Sequence, residues 1–239
     1  MRSIIYAGHD FSELCSAEVV ARSANPIIAE ALQVPGRAGA MLVTGYLPPV
    51  DVTVRLFLDA GFSADVVRLA ELRHTLSFWL CAPGGGELVL PDEPEHTYRD
   101  ALLVSAGAWS KLFSDGQCEI TFTLFDPIAY GRERIERLSR FDVGGTWPVL
   151  PEFRLVAAAG SSLRVGHAAT GRFVTVDYEF AGGEAVVIDC ATERVFINDA
   201  DARDCVALGS DFFSLDPGDR IVSVYGATYF ETRFTERWA

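Results

Sequence analysis

The residues best suited to chemistry are four histidines, His9, His74, His96 and His167, and a knot of carboxylates, Asp92, Glu93 and Glu95. A histidine beside a carboxylate can move protons near neutral pH, and two carboxylates held close can divide acid from base work. Their spacing supports neither arrangement. His74 falls inside a helical pattern, where a solvated or capping side chain is the expectation. The three acids lie on a proline-bounded turn, which favours solvation over a dyad. The chain has no Gly-x-Ser-x-Gly elbow, phosphate-binding loop or histidine-rich metal run. Its five cysteines, Cys15, Cys81, Cys118, Cys190 and Cys205, are scattered, odd in number and without metal-ligand spacing. Buried free thiols in a reducing cytoplasm are expected. The expectation is therefore no enzyme, no cofactor and no metal.

The elements that carry these residues belong to a soluble globular chain of 239 residues, 49% hydrophobic and 22% charged. Acids outnumber bases 33 to 20, for a net charge of −13, and Lys111 is the single lysine. That balance argues against a nucleic-acid partner, which needs a cationic face. No window approaches the roughly 20 apolar residues of a membrane span, and MRSIIYAGHDF reads as no secretion signal.

The chain is organised around CEITFTLFDPIAYG, Cys118 to Gly131. Ile120, Phe122 and Leu124 alternate with Glu119, Thr121 and Thr123, the pattern of a strand with one buried face, and Asp126-Pro127 stops it. The segment after it loses the alternation, carries Arg132, Arg134, Arg137 and Arg140, and ends in Gly144-Gly145. It reads as a connection, with two uses open for its arginines: a solvated linker, or a charged contact with an acidic neighbouring subunit. The expected division is a first domain at 1–131, a linker at 132–145 and a second domain at 146–239.

In the first domain, Ile4–Tyr6 reads as a short strand before Gly8, followed by strands at Glu18–Ser23, Ala40–Tyr46 and Val50–Leu58. Pro48-Pro49 separates the last two. The clearest helix is Ser63 to Leu80, with Ser63 as cap, Asp65 at the positive end of the dipole, and an apolar stripe of Val66, Leu69, Ala70, Leu76, Trp79 and Leu80. Pro83 and three glycines end it. Strands follow at Glu87–Leu90 and Tyr98–Ala106, the latter pairing with Cys118–Phe125. One helix among strands predicts an α+β domain, the helix lying on an antiparallel sheet.

The second domain shows short strands punctuated by turns: Glu152–Ala158, Leu163–Gly166, Phe173–Phe180, Ala185–Asp189, Arg194–Asn198, Cys205–Leu208, Arg220–Tyr225 and Tyr229–Phe234. This spacing predicts a β-sandwich or jelly roll. The whole chain is therefore expected to be mainly β.

Four stretches resemble the phage distal tail proteins, a siphophage tail-component family: YRDALLVSAGAW, ITFTLFDPIAYG, AVVIDCATERVFIND and SDFFSLDPGDRIVSV. Their order and spacing agree with the family from about residue 1 to 235. The motif positions are Tyr98, Asp126, Pro127, Tyr130, Gly131, Asp211, Phe212, Phe213, Leu215, Pro217 and Gly218. The resemblance implies an N-terminal ring-forming domain, a homohexamer in the assembled tail, and a C-terminal galectin-like β-sandwich. It implies a structural hub at the virion tail tip, made and assembled in the bacterial host cytoplasm. The ring would join the tail-tube protein to the tail-tip hub protein and hold a receptor-binding protein.

A ring subunit must expose apolar or unpaired-edge surface. The candidate is Gly36–Pro49, with Met41, Leu42, Val43 and Tyr46 as interface residues; an ordinary core strand is the alternative. Because neighbouring strand residues face opposite sides, only one of Leu42 and Val43 is expected to point outward. The alternative function is a lectin-like module contacting the host surface, for which His167 and Trp147 are the residues available.

Overall fold

The computed structural model describes residues 3–24, 27–58 and 66–239 and divides into two compact units, residues 1–129 and Tyr130–Trp238. It is mainly β.

The first unit carries β1 (Ile5–Tyr6), β2 (His9–Asp10), β3 (Cys15–Arg22), β4 (Ile28–Gln33), β5 (Ala40–Tyr46), β6 (Val50–Leu58), α1 (Val66–Leu80), β7 (Gly86–Leu90), β8 (Glu93–Ser105), α2 (Trp109–Ser114) and β9 (Gln117–Leu124). Seven of its strands run in the order β2-β1-β7-β8-β9-β6-β3, every pair antiparallel. Alternation decides which way they face. On β9, Cys118, Ile120, Phe122 and Leu124 are buried, and on β6 Val50, Val52, Val54 and Leu56 are buried. Each such side chain contributes about 1.5–3 kcal/mol on leaving water. The opposite faces pair through polar groups: Thr53 with Thr121, and Arg55 with Glu18 and Glu119.

The helix is present from Val66; its expected cap at Ser63 and Asp65 lies outside the described residues. Leu72, Leu76 and Leu80, four residues apart, are its buried row, so Leu72 joins the expected stripe. Trp79 stacks on His9 and meets Phe11 edge-on. Among the described residues the unit has two α-helices rather than one, because Trp109–Ser114 forms a short α-helix between β8 and β9. The thiols are all free, yet Cys81 is exposed where burial was expected, since it falls just beyond the last turn of α1.

The second unit carries β10 (Ala129–Glu136), β11 (Arg140–Val143), β12 (Glu152–Ala157), β13 (Gly160–His167), β14 (Phe173–Phe180), β15 (Ala185–Asp189), β16 (Arg194–Ile197), β17 (Ala200–Asp201), β18 (Gly218–Tyr225) and β19 (Ala227–Trp238). One sheet runs β17-β16-β15-β12-β19-β10 and the other β11-β18-β13-β14. They share one core, with Phe153, Leu155, Ile188 and Val195 from the first and Val165, Val174, Val176 and Val222 from the second. The hairpin of β15 and β16 is closed by Asp189, whose carboxylate accepts from Ala191 N–H and from the Thr192 hydroxyl. Asn198 and Asp199, both at positive φ, turn β16 into β17.

Two expectations are corrected here. Residues 132–145 are not a linker, because β10 and β11 run through them. Arg134 is paired with Glu136 and Glu236, Arg137 with Tyr229 and Glu231, and Arg140 with Asp219. These arginines bind their segment to β18 and β19 of the same unit, so the solvated linker does not form and no neighbouring subunit is needed to partner them. Cys205–Leu208 is not a strand either. Val206 makes only an isolated bridge to Val176, and the N–H groups of Ala207 and Asp211 trim the edge of β14.

Candidate functional site

The chemically able residues are dispersed into separate structural roles. Glu93 accepts from Arg22 at 2.6 Å and from the Tyr98 hydroxyl at 2.9 Å, and Arg22 also reaches Asp92 at 3.3 Å. The acidic turn is thus a cation-bridged cluster, with His96 3.6 Å from Glu93. Burial by itself would raise the Glu93 carboxyl, but the hydrogen bonds from Arg22 and Tyr98 hold it below its usual range. Burial raises the Tyr98 phenol, so it stays a neutral donor. His9 is stacked on Trp79 and His74 is exposed. His167 is 2% exposed, stacked on Phe213 and bonded through Nδ1 to the Thr170 hydroxyl. Burial and the nearby Arg220 guanidinium lower its pKa. A side chain so enclosed cannot meet a glycan at the surface. Trp147 makes backbone bridges to Arg237. Among the described residues no group of three or more His, Cys, Asp or Glu is placed to hold a metal, and no helix is long and apolar enough to cross a membrane.

The strongest feature of the first unit is the ribbon of β4 and β5. It forms a two-stranded sheet of its own, and every residue in both strands is exposed. Register puts Ile28 opposite Tyr46, Ala31 opposite Leu42 and Leu32 opposite Met41, with a bulge after Glu30 that leaves Val43 unpaired. Paired residues share a face, so Ile28, Leu32, Met41 and Tyr46 lie on one face of the ribbon and Ala31 and Leu42 on the other. Leu42 is 70% and Val43 64% exposed. The expectation that one of the two would be a core residue is therefore corrected. With a single partner strand and both faces exposed, alternation no longer divides inside from outside. Sequence reasoning missed β4 altogether; its signal was a second apolar run, IIAEALQ, ahead of the Pro35-Gly36 turn.

The family-like motif positions hold the turns and cores. Asp126 accepts from Ile128 N–H across Pro127. Tyr130 lies under the Arg237 guanidinium, and Gly131 faces the Trp238 ring, which a Cβ would strike. Asp211 pairs with Arg172, Phe213 packs between Phe153 and His167, and Leu215 bridges Val149. Phe212 packs against the core edge, and Gly218, after Pro217, takes a positive φ at the start of β18.

Two facing sheets over one core, entered by these turns, define the class of the second unit. Residues 144–238 match the siphovirus-type tail component, C-terminal domain. The chain as a whole is similar to the phage distal tail proteins. It is 24% identical to the distal tail protein of Bacillus phage SPP1 over 230 residues, which cover 90% of this chain and 87% of that one. Its fold matches the crystal structure of the SPP1 Dit protein, described as a paradigm of the hub adsorption apparatus in phages that infect Gram-positive bacteria. That match has a TM-score of 0.76 at 20% identity and covers 99% of this chain and 98% of the other. It shows that the two-unit fold extends over the full chain.

Proposed function

We propose that this chain is a structural hub of a phage or prophage tail tip, a homohexameric ring that joins the tail tube to the tip and holds adsorption components. The observation that carries the reading is the likeness to the SPP1 distal tail protein along nearly the whole of both chains. The ribbon of β4 and β5 adds physical support. A two-stranded ribbon is marginal in water by itself, and this one exposes Ile28, Leu32, Met41, Leu42, Val43 and Tyr46. In a ring of one subunit the same patch meets a different patch on the next copy, and the rotation closes. The role is mechanical: no catalysis, a place in the virion tail tip, and assembly in the host cytoplasm before release.

Native mass spectrometry of the chain, alone and mixed with its tail-tube and tail-tip proteins, tests the ring. A six-copy species is expected, at least with the partners present. A strict monomer at high concentration in the presence of both partners refutes the reading. Leu42→Asp and Val43→Asp should each leave the monomer folded and weaken that species; normal assembly by both moves the interface away from the ribbon.

A further inference from the structure

We propose that the outward face of β13, β14 and β18 is a binding site for an acidic saccharide. On these strands Leu163, Val165, Val174, Val176 and Val222 turn inward to the core. Alternation then sends Ser162, Arg164, Thr175, Ser223 and Tyr225 outward, where they line an open groove of about 550 Å³. Register places Thr175 and Tyr225 on either side of Arg164, and Phe173 and Ser223 on either side of Gly166. A Cβ at position 166 would fall 2.9 Å from the Ser223 hydroxyl, so glycine keeps the floor of the groove low.

Arg164 carries the argument. Its guanidinium carbon lies over the Phe173 ring, 3.7 Å from the centroid. In the same unit Arg134, Arg137, Arg140, Arg154, Arg172, Arg203 and Arg233 each pair with a carboxylate, Arg220 donates to backbone carbonyls, and Arg237 lies over Tyr130 at 5.2 Å. Arg164 makes no such pair among the described residues, in a chain with 13 more acids than bases. Asp177 stands opposite Ser162 on the same face and forms no ion pair with Arg164. A guanidinium held close over a ring face loses less freedom on binding a planar carboxylate. Around it the hydroxyls of Ser162, Thr175 and Ser223 match the alternating donors and acceptors of a polyol. Tyr225, 65% exposed, offers a ring face to the C–H side of a pyranose and a hydroxyl beside it.

A saccharide suits the groove better than a protein segment. The lining has no aliphatic pocket to take a protein anchor. The edge of β14 is already occupied, with Ala207 N–H bonded to Thr175 O and Asp211 N–H to Phe173 O, so a peptide cannot add there as a strand.

The test is an amide NMR titration of the full-length ¹⁵N-labelled chain with hyaluronan hexasaccharide, in which glucuronate alternates with N-acetylglucosamine. Chitohexaose, of equal length and without carboxylates, is the comparison. Saturable shifts are expected at Arg164, Gly166, Thr175, Ser223 and Tyr225. Arg164→Ala should weaken binding about tenfold or more, Tyr225→Ala should weaken it, and Arg164→Lys should restore part of the loss. Thermal melts and spectral dispersion confirm that each variant is folded. No saturable shift by about 10 mM sugar, a range that reaches millimolar affinities, overturns the proposal. So does equal affinity for chitohexaose, or binding that survives Arg164→Ala. The outcome is separable from that of the ring, because Arg164→Ala and Tyr225→Ala should assemble as the unaltered chain does.

Discussion

Replacing Phe213 by alanine should cost the second unit about 3–5 kcal/mol, the range for deleting a buried aromatic ring. Phe213 is 2% exposed, and its ring centroid lies 5.6 Å from that of Phe153 and 5.6 Å from that of His167. Its loss opens a cavity between a residue of β12 and one of β13, which their own sheets hold in place and which cannot close over the gap. The unit spans 109 residues, Tyr130 to Trp238 (238 − 130 + 1). At about 2.1 cal/mol/K per residue its unfolding entropy is about 0.23 kcal/mol/K, so the loss corresponds to a fall in Tm of about 13–22 °C. Differential scanning calorimetry of the full chain reads this directly. Leu208→Ala, a fully exposed side chain in the same unit, is the control and should stay within about 0.5 kcal/mol. Water admitted at Phe213→Ala should also raise the pKa of His167, visible in its imidazole titration. A fall under about 4 °C, or one matched by Leu208→Ala, refutes the assignment of Phe213 as a core anchor.

Leu42→Asp and Val43→Asp should each change the stability of the isolated chain by less than about 0.5 kcal/mol, as surface substitutions do, whereas Leu56→Ala, fully buried on β6, should cost about 2–5 kcal/mol in urea unfolding. In the native chain a thiol reagent should modify Cys81 first, while Cys118, its thiol pushed up to about 11 by burial, and Cys190, pushed up to about 12, react only on unfolding; mass mapping of the adducts checks the order. Stability should fall as pH drops below about 6.5, because unfolded His167 takes up a proton there while the buried ring, its pKa lowered, does not. His167→Gln should flatten that part of the profile, measured by urea unfolding at pH 7.5 and 5.5. A separate loss at lower pH should remain, since Glu93, Asp201, Asp219 and Glu231 all have lowered pKa values and stabilise the fold only while ionised.

Where one face of a strand is buried, the sequence located it closely. Val50–Leu58, Phe173–Phe180 and Ala185–Asp189 match β6, β14 and β15 residue for residue, since period-two alternation is what burial on one side imposes. The connection at 132–145 was misread for the converse reason. Of the eight residues of β10 only Ala129 is buried, so no alternation survives. Its order comes from backbone pairing with β19, about 90–100 residues on, and Arg134 and Arg137 reach over the same span to Glu236 and Glu231. Such pairs are invisible in a local window. Charge runs were legible as composition, but their partners were not.

Of the ribbon the sequence showed β5 at its exact bounds but not β4, and of the groove it showed nothing. The ribbon of β4 and β5 is composed like a core strand, though every residue of both strands is exposed. Nothing in the one-chain sequence separates burial by the same chain from burial by a neighbour. The groove is composed like any solvated strand face, with Ser162, Arg164, Thr175 and Ser223 alternating against valines and a leucine. Its distinguishing property is an arginine without a carboxylate that lies 3.7 Å over an aromatic ring in an open, hydroxyl-lined groove. That combination appears only in three dimensions, where seven other arginines of the unit are each seen beside an acid. In a chain this acidic, an arginine left without a carboxylate while stacked on Phe173 has a free, oriented charge, and that free charge is what an anionic ligand would bind.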